Sequence, residues 1–113
     1  MTTYFGTLTI GASSVQLPNY FPRCNKLFVQ HAPGNTGNFK VGGNVSLTTD
    51  TTTPGIYVQP APAGAANPDA SVPPGGSWSM KADSNDNDLV VSQYFFHGTH
   101  AGDKLMYEIS VKV

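Results

Sequence analysis

Short apolar segments separated by glycine and proline restrict this chain to a β-structure. Apolar residues nowhere recur at positions i, i+3, i+4 and i+7 over three turns, so no amphipathic helix is predicted. The 12 glycines and 9 prolines of the 113-residue chain are spread along its length and would interrupt a helix early. Alternation is frequent instead. In the segment Leu105–Val113 every odd-numbered residue is apolar and most even-numbered residues are polar, which predicts a half-buried antiparallel strand.

Further segments have the composition and length of strands. Alternation predicts a first strand near the N-terminus, with Tyr4, Leu8 and Ile10 on one face and Gly6 at a β-bulge. The other predicted strands are Ser14–Leu17, Lys26–His31, Phe39–Val41, Val45–Leu47, Ile56–Gln59, Ser77–Ala82 and Leu89–Phe96. We therefore predict an all-β chain that forms one domain over residues 1–113. Its expected architecture is a single antiparallel β-sandwich, jelly-roll-like, with eight or nine short strands.

One connection is unusually long. Residues 60–76 contain five prolines, with alanine and glycine between them, and lack the alternation of a strand. Loops of this length are usually functional or disordered. The Pro-rich excursion is therefore either an extended, polyproline-like lobe that lies along a neighbouring molecule, or a mobile surface loop.

The composition points to surfaces that meet other subunits. Only 12% of the residues are charged, about half the usual share. The cores of protein interfaces are depleted in charge, although a neutral β-protein surface gives the same composition. The segment Leu89–Phe96 is apolar on both faces. It is expected either to be a central strand buried on both sides or to present its outer face to a partner.

Charge and hydropathy exclude two classes of partner. The formal net charge is −1, Arg23 is the only arginine, and the lysines are scattered, so no cluster could neutralise nucleic-acid phosphates. No apolar run approaches the ~20 residues of a membrane-spanning helix. The N-terminus has no secretory signal, so synthesis and folding in the cytoplasm of the producing cell are expected. Cys24 is the single cysteine and is expected to be an apolar filler.

Two candidate metal sites lack required ligands. The segment Asp83–Asp88 begins like a calcium-binding EF-hand loop, but Asp88 occupies the glycine position and Tyr94 the position of the bidentate glutamate. It is better interpreted as a hairpin turn. His97 and His100 lie close together in sequence with Asp103, but His31 is the only other histidine, and a zinc or iron site needs three or four convergent ligands. No metal or other cofactor is predicted.

No motif supports catalysis. There is no G-x-S-x-G nucleophile elbow and no phosphate-binding G-x-x-x-x-G-K-[ST] sequence. Glu108 is the sole glutamate and lies on the polar face of its predicted strand, so a glycosidase pair would require two turn aspartates. We expect a protein without enzymatic activity. Trp78, Tyr57 and Tyr94 could form a sugar-stacking platform, although such aromatics are more often core residues or cross-strand pairs.

The order of strands and turns from Leu27 to Val113 resembles that of small structural proteins of tailed bacteriophages, of the decoration or cement type. The resemblance rests on short motifs: Lys26–Gln30, a Gly-Asn turn, Val41–Val45, Gly55–Val58, the Pro-Gly turn at Pro74–Trp78 and the final turn at Ala101–Asp103. It covers about three quarters of the chain, and the Pro-rich excursion interrupts it.

The resemblance implies a β-sandwich that binds the exterior of a phage capsid, often as a homotrimer, and stabilises the shell. The implied partners are the major capsid protein and copies of the chain itself, and the implied location is the virion surface. The expected assembly contacts are Thr3, Phe5, Tyr57, Pro62, Pro68, Pro73 and Phe96, with Tyr57 and Phe96 facing outward. The alternative is a carbohydrate-binding or receptor-binding module of a phage tail or fibre.

Overall fold

Antiparallel strands make up nearly all of the regular structure. The computed structural model describes residues 2–11, 13–18, 21–49, 52–60 and 76–112. In these residues the strands are β1 (Thr2–Thr9), β2 (Arg23–Cys24), β3 (Lys26–His31), β4 (Phe39–Gly42), β5 (Ile56–Val58), β6 (Ser77–Lys81), β7 (Leu89–Val90), β8 (Phe95–Gly98) and β9 (Lys104–Val111). A short 3₁₀ helix spans Val91–Gln93. The predicted all-β, sandwich-like fold is confirmed.

The strands form three sheets. The largest has the order β1-β9-β3-β6, the second has the order β5-β4-β8, and β2 pairs with β7. Strands β9 and β3 lie in the interior of the large sheet, and the alternating pattern of β9 buries Leu105, Tyr107 and Ile109 on one face. Its pairing with β1 is continuous from Thr2–Val111 to Thr9–Lys104, with one residue opposite one residue throughout. The predicted bulge at Gly6 is therefore wrong.

Aromatic and aliphatic side chains from the two larger sheets meet in one core. The ring of Phe39 on β4 lies 4.7 Å from that of His31 on β3 and 6.5 Å from that of Phe96 on β8. Trp78 on β6 lies 6.1 Å from Phe96. Each large apolar side chain that is fully buried contributes about 1.5–3 kcal/mol, so these contacts hold the sheets face to face.

Three predicted strands are wrong in detail. Ser14–Leu17 forms only an isolated bridge between Val15 and Phe96. Val45–Leu47 is a turn. The Leu47 amide donates to the Asn44 carbonyl at 3.0 Å, and the Asn44 side chain accepts from the Ser46 amide. Leu89–Phe96 is divided by the 3₁₀ helix, where the Tyr94 amide bonds back to the Val91 carbonyl. The chain thereby passes from one sheet to another.

The segment Asp83–Asp88 is not a hairpin turn. It connects β6 in the large sheet to β7 in the two-stranded sheet. The buried side chain of Asn25 fixes it by donating from Nδ2 to the backbone oxygens of Ser84 at 3.2 Å and Asp86 at 2.9 Å. The segment therefore changes sheets instead of reversing within one.

The Pro-rich excursion leaves and re-enters the fold at one place. The Gly76 amide donates to the Gln59 carbonyl at 3.0 Å, and the Gly76 carbonyl accepts from the His31 amide at 3.1 Å. Both ends of the excursion are thus anchored at the start of β6. Pro62, Pro68 and Pro73 lie outside the described residues.

Candidate interaction surfaces

The outer face of the large sheet carries an apolar patch, which we call the outer patch and define as Phe5, Phe28 and Met106. Cross-strand pairing aligns Phe5 on β1 with Glu108 on β9, and Glu108 with Phe28 on β3. The Phe5 side chain is 77% exposed. The outer patch surrounds a surface depression of about 200 Å³, which is also lined by Gln30, Tyr107 and Glu108. Apolar side chains in this position offer a contact surface on an otherwise polar sheet.

A second depression lies between the two larger sheets, on the side where β5 and β6 form their edges. We call it the edge groove. Its volume is about 270 Å³, and it is lined by Val41, Gly42, Gly43, Pro54, Gly55, Ile56, Trp78, Met80 and Tyr94. The rings of Trp78 and Tyr94 lie 5.4 Å apart at 54°. The lining is almost entirely apolar, which suits a protein or peptide segment better than a polyhydroxylated ligand.

The predicted aromatic platform is only partly assembled. Trp78 and Tyr94 lie together in the edge groove, whereas Tyr57 is not among its lining residues. The Tyr57 hydroxyl donates to the Thr49 carbonyl at 2.6 Å, and its ring lies 5.2 Å from Lys40 Nζ. The three aromatics therefore do not form one stacking surface.

Of the predicted assembly contacts that the structure describes, three are exposed and one is buried. Thr3 and Phe5 are exposed on β1, and the Thr3 hydroxyl lies 3.3 Å from that of Ser110. Tyr57 is exposed on β5. Phe96 is fully buried between Phe39 and Trp78, so the expectation that it faces outward is wrong. Its alternation in sequence was consistent with either face, and the 3₁₀ helix that precedes it determines which face is inside.

A buried lysine holds the loop that precedes Pro54, one of the residues that line the edge groove. The side chain of Lys40 is 1% exposed, and its Nζ donates to the carbonyl oxygens of Thr48, at 2.9 Å, and of Thr53. Because the ammonium is desolvated, these hydrogen bonds compensate for the lost water. They draw in the loop that places Pro54 beside the groove. In the sequence, Lys40 is one of several scattered lysines. Its position between Phe39 and Val41, in a strand followed by a Thr-rich segment, was the available signal.

Two of the three histidines are buried and hydrogen-bonded within the fold, and the third is exposed. His31 is buried, its Nε2 donates to the Val58 carbonyl at 2.9 Å, and its Nδ1 accepts from Asn35 Nδ2 at 2.7 Å. His97 is buried and donates from Nδ1 to the Gly98 carbonyl at 3.0 Å, while His100 is exposed. Among the described residues, no group of three or more histidine, cysteine, aspartate or glutamate side chains is placed to hold a metal ion.

Asp103 directly precedes β9 and fixes the turn between β3 and β4. Its carboxylate is 5% exposed and accepts hydrogen bonds from the backbone amides of Thr36 at 3.2 Å and Gly37 at 2.8 Å. Asn35 joins the same cluster, since its side chain accepts from the Lys104 amide and donates to the Lys104 carbonyl. The sequence placed Asp103 beside the histidines, but its bonds are to backbone amides. It therefore has a structural role.

Burial raises the pKa of two ionisable side chains, Cys24 and Tyr94. Cys24 is 0% exposed, and burial raises the pKa of its thiol from 9.0 to about 11. Burial likewise raises the pKa of the Tyr94 hydroxyl, with a smaller contribution from Cys24. A thiol held in its protonated form is a poor nucleophile, so Cys24 is an inert part of the core.

Comparisons with models of protein families, with curated proteins and with solved structures found no match. In the described part of the chain, no helix has the length and apolar character needed to cross a membrane. The function of the protein is therefore inferred from its sequence and its surfaces.

Proposed function

We propose that the protein is a non-enzymatic structural component of a phage virion, a decoration or cement protein that binds the capsid exterior and stabilises the shell. The proposal rests on the resemblance of residues 27–113 to that class. Its main physical support is the presence of large apolar side chains on the surface, with Phe5 77% exposed and Ile56 57% exposed, in a chain of unusually low charge. Apolar side chains at a low-charge surface are typical of the cores of protein interfaces.

Two surfaces are available for the assembly contacts. The outer patch presents Phe5 on one side of the large sheet, and the edge groove presents Ile56, with the exposed Tyr57 next to it on β5. The two depressions share no lining residue, so one surface can bind a capsid subunit while the other binds a second copy. The Pro-rich excursion joins Gln59, which follows β5, to Gly76, which precedes β6, and its low charge and many prolines support the proposal that it adds contacts to a neighbouring molecule.

The stabilisation would follow from mass action. A ligand that binds the assembled shell, and not its dissociated subunits, stabilises the shell by RT ln(1 + [L]/Kd) at each site, roughly 2.7 kcal/mol at a hundredfold excess over Kd. The contribution is repeated at every occupied site. Many weak contacts of this size oppose the pressure of packaged DNA.

Co-sedimentation tests the proposal. The purified protein is mixed with undecorated capsids from cells that carry the encoding genome, and bound protein is quantified after gradient centrifugation. We expect saturable binding that Ile56→Ser weakens and that Val45→Ser, at an exposed turn position, leaves unchanged. Absence of the protein from purified virions by mass spectrometry, together with absence of saturable capsid binding, would refute the proposal.

A carbohydrate-binding module is the second candidate, favoured by the placement of Trp78 and Tyr94 in one groove. A sugar site needs hydrogen-bonding groups beside the aromatic faces, and the edge groove has few. Glycan-array binding that is lost in Tyr94→Ala would support this function over capsid decoration.

A further inference from the structure

We propose that strand β1 pairs with strand β1 of a second copy of the chain, antiparallel and about a two-fold axis. The pairing joins two four-stranded sheets into one sheet of eight strands. It requires only β1, so it does not depend on the proposed function, and it leaves Ile56 and the edge groove free for another partner.

Alternate residues of β1 form their backbone hydrogen bonds with β9, and the residues between them direct their amides and carbonyls to the side away from β9. The Ile10 amide donates to the Asp103 carbonyl at 2.8 Å, in the register of the β1–β9 pair. On the other side of β9, the Ala32 amide donates to the Lys104 carbonyl at 3.0 Å. Odd-numbered residues of β9 therefore bond to β1, and even-numbered residues bond to β3. Because hydrogen-bonded and non-bonded pairs alternate in an antiparallel ladder, the even-numbered residues of β1 bond to β9.

The odd-numbered residues of β1 consequently direct their amides and carbonyls away from the sheet. These residues are Thr3, Phe5, Thr7 and Thr9. Strand β1 is the end strand of its sheet among the described residues. It thus presents four donors and four acceptors in a regular row of the kind that another strand can extend.

Among the described residues, the edges at β5, β6 and β8 carry features that discourage such pairing, whereas no strand is paired along the outer side of β1. Strand β5 has only three residues, and β6 ends in the charged Lys81. The outer side of β8 is occupied by the bridge from Val15 to Phe96. Strand β1 has eight residues, with no charge, no proline and no bulge. Short length, charge, proline, bulges and covering segments are the usual means of preventing edge-to-edge association.

The sequence of β1 is complementary to itself. When a strand pairs with its own antiparallel copy, charged residues near the two-fold axis approach the same charge on the second copy, and β1 has no charged residue. A register that places Phe5 opposite Thr7 of the second copy, and Thr3 opposite Thr9, uses all outward amides and carbonyls and forms eight hydrogen bonds. The two Phe5 rings are then diagonal neighbours, within reach of each other for aromatic side chains. The outer patches of the two copies also become continuous.

The contact area predicts a weak dimer. A strand of eight residues is about 27 Å long, and a sheet edge is roughly 10 Å thick, so each copy buries on the order of 270 Å². Stable interfaces bury about 800 Å² on each partner. We therefore expect a dimer that dissociates on dilution through the micromolar range.

Charge substitution at the edge tests the pairing. Thr7 is exposed on the outer face, so Thr7→Lys should fold normally and place two positive charges close together across the two-fold axis. Ser79→Lys adds the same charge to the same sheet face on β6, the opposite edge. Analytical ultracentrifugation should show a monomer–dimer equilibrium that Thr7→Lys weakens by roughly tenfold or more and that Ser79→Lys leaves unchanged. A mixture of Thr7→Lys and Thr7→Glu chains should restore the dimer.

Amide hydrogen exchange gives an independent readout. The outward amides of Thr3, Phe5, Thr7 and Thr9 should become more protected as protein concentration rises, by up to about tenfold when nine tenths of the chains are paired. The amides of Leu8 and Ile10, which bond to β9, should not change. A chain that remains monomeric to about 1 mM, a trimer that both lysine variants weaken, or a dimer insensitive to Thr7→Lys would each overturn the proposal. The trimer would indicate head-to-tail pairing of β1 with β6.

Discussion

Replacement of Asp103 by asparagine tests whether one carboxylate holds the turn before β4. The Asp103 side chain is 5% exposed, and its two oxygens accept separately from the amides of Thr36 and Gly37. Asparagine has nearly the same shape but one acceptor oxygen, and its amino group would face a backbone amide. Asp103→Asn therefore removes the negative charge and leaves one buried donor without a partner.

The magnitude follows from these contacts. A hydrogen bond to a charged group contributes about 1.5–3 kcal/mol, and a buried donor left unsatisfied costs about 1–3 kcal/mol. We expect the free energy of unfolding to fall by about 2–4 kcal/mol, a large share of the 5–15 kcal/mol typical of a domain. With an unfolding entropy of about 2.1 cal/mol/K for each residue, 1 kcal/mol corresponds to about 4 °C at this length, so Tm should fall by about 8–16 °C.

Urea denaturation followed by Trp78 fluorescence measures the change. Asp86→Asn is the matched control, because Asp86 is exposed and its replacement should change stability by no more than about 0.5 kcal/mol. Hydrogen exchange at the Thr36 and Gly37 amides should rise selectively in Asp103→Asn. If the two variants differ by less than about 1 kcal/mol, the carboxylate does not hold the turn as its geometry indicates.

Three further predictions concern the core. Because burial raises the pKa of Cys24 from 9.0 to about 11, the unfolded chain loses this proton before the folded chain does, and the free energy of unfolding should fall by about 2–3 kcal/mol between those pH values. Urea titrations at pH 8 and pH 10.5 should show a smaller fall in Cys24→Ala, and an equal fall would contradict the assignment. Gly6→Val should cost about 1–3 kcal/mol by thermal unfolding, since a Cβ at Gly6 meets the Tyr107 ring, whereas Gly43→Ala should be nearly neutral because the nearest atom is 3.8 Å away. Leu27→Ala, at a fully buried position on β3, should cost about 2–5 kcal/mol in the same assay, and a cost below 1 kcal/mol would mean that the site collapses to fill the cavity.

Local pattern was sufficient where a strand has one buried face. Lys26–His31 is predicted with the observed ends, and the alternation in Leu105–Ile109 matches the observed burial. Local pattern was insufficient where tertiary contacts determine the conformation of a segment. Val45–Leu47 has strand composition, but the Asn44 side chain caps a turn there and only Leu47 is buried. Likewise, no local signal in Leu89–Phe96 specifies where the chain leaves one sheet for another.

The candidate surfaces were predictable only in part. Phe5 lies in a strand whose alternation places it on the outer face, so its exposure follows from the sequence. The outer patch depends on β1, β9 and β3 being neighbours, and that order is set by pairing between residues far apart in the chain. Pattern analysis also could not reveal that Lys40 is buried, because its partners are backbone carbonyls of a loop.

The hydrogen bond from the Gly76 amide to the Gln59 carbonyl joins the two ends of the Pro-rich excursion, so the protein should tolerate insertions between these residues. The Gly76 carbonyl also accepts from the His31 amide on β3, so we expect the described strands to stay connected when the length of chain between the two anchors changes. Doubling the length of a flexible connection costs only about 0.6 kcal/mol in closure entropy. A peptide or a small domain inserted in this connection should thus leave the sandwich folded, and evolution could vary the same segment without redesigning the core.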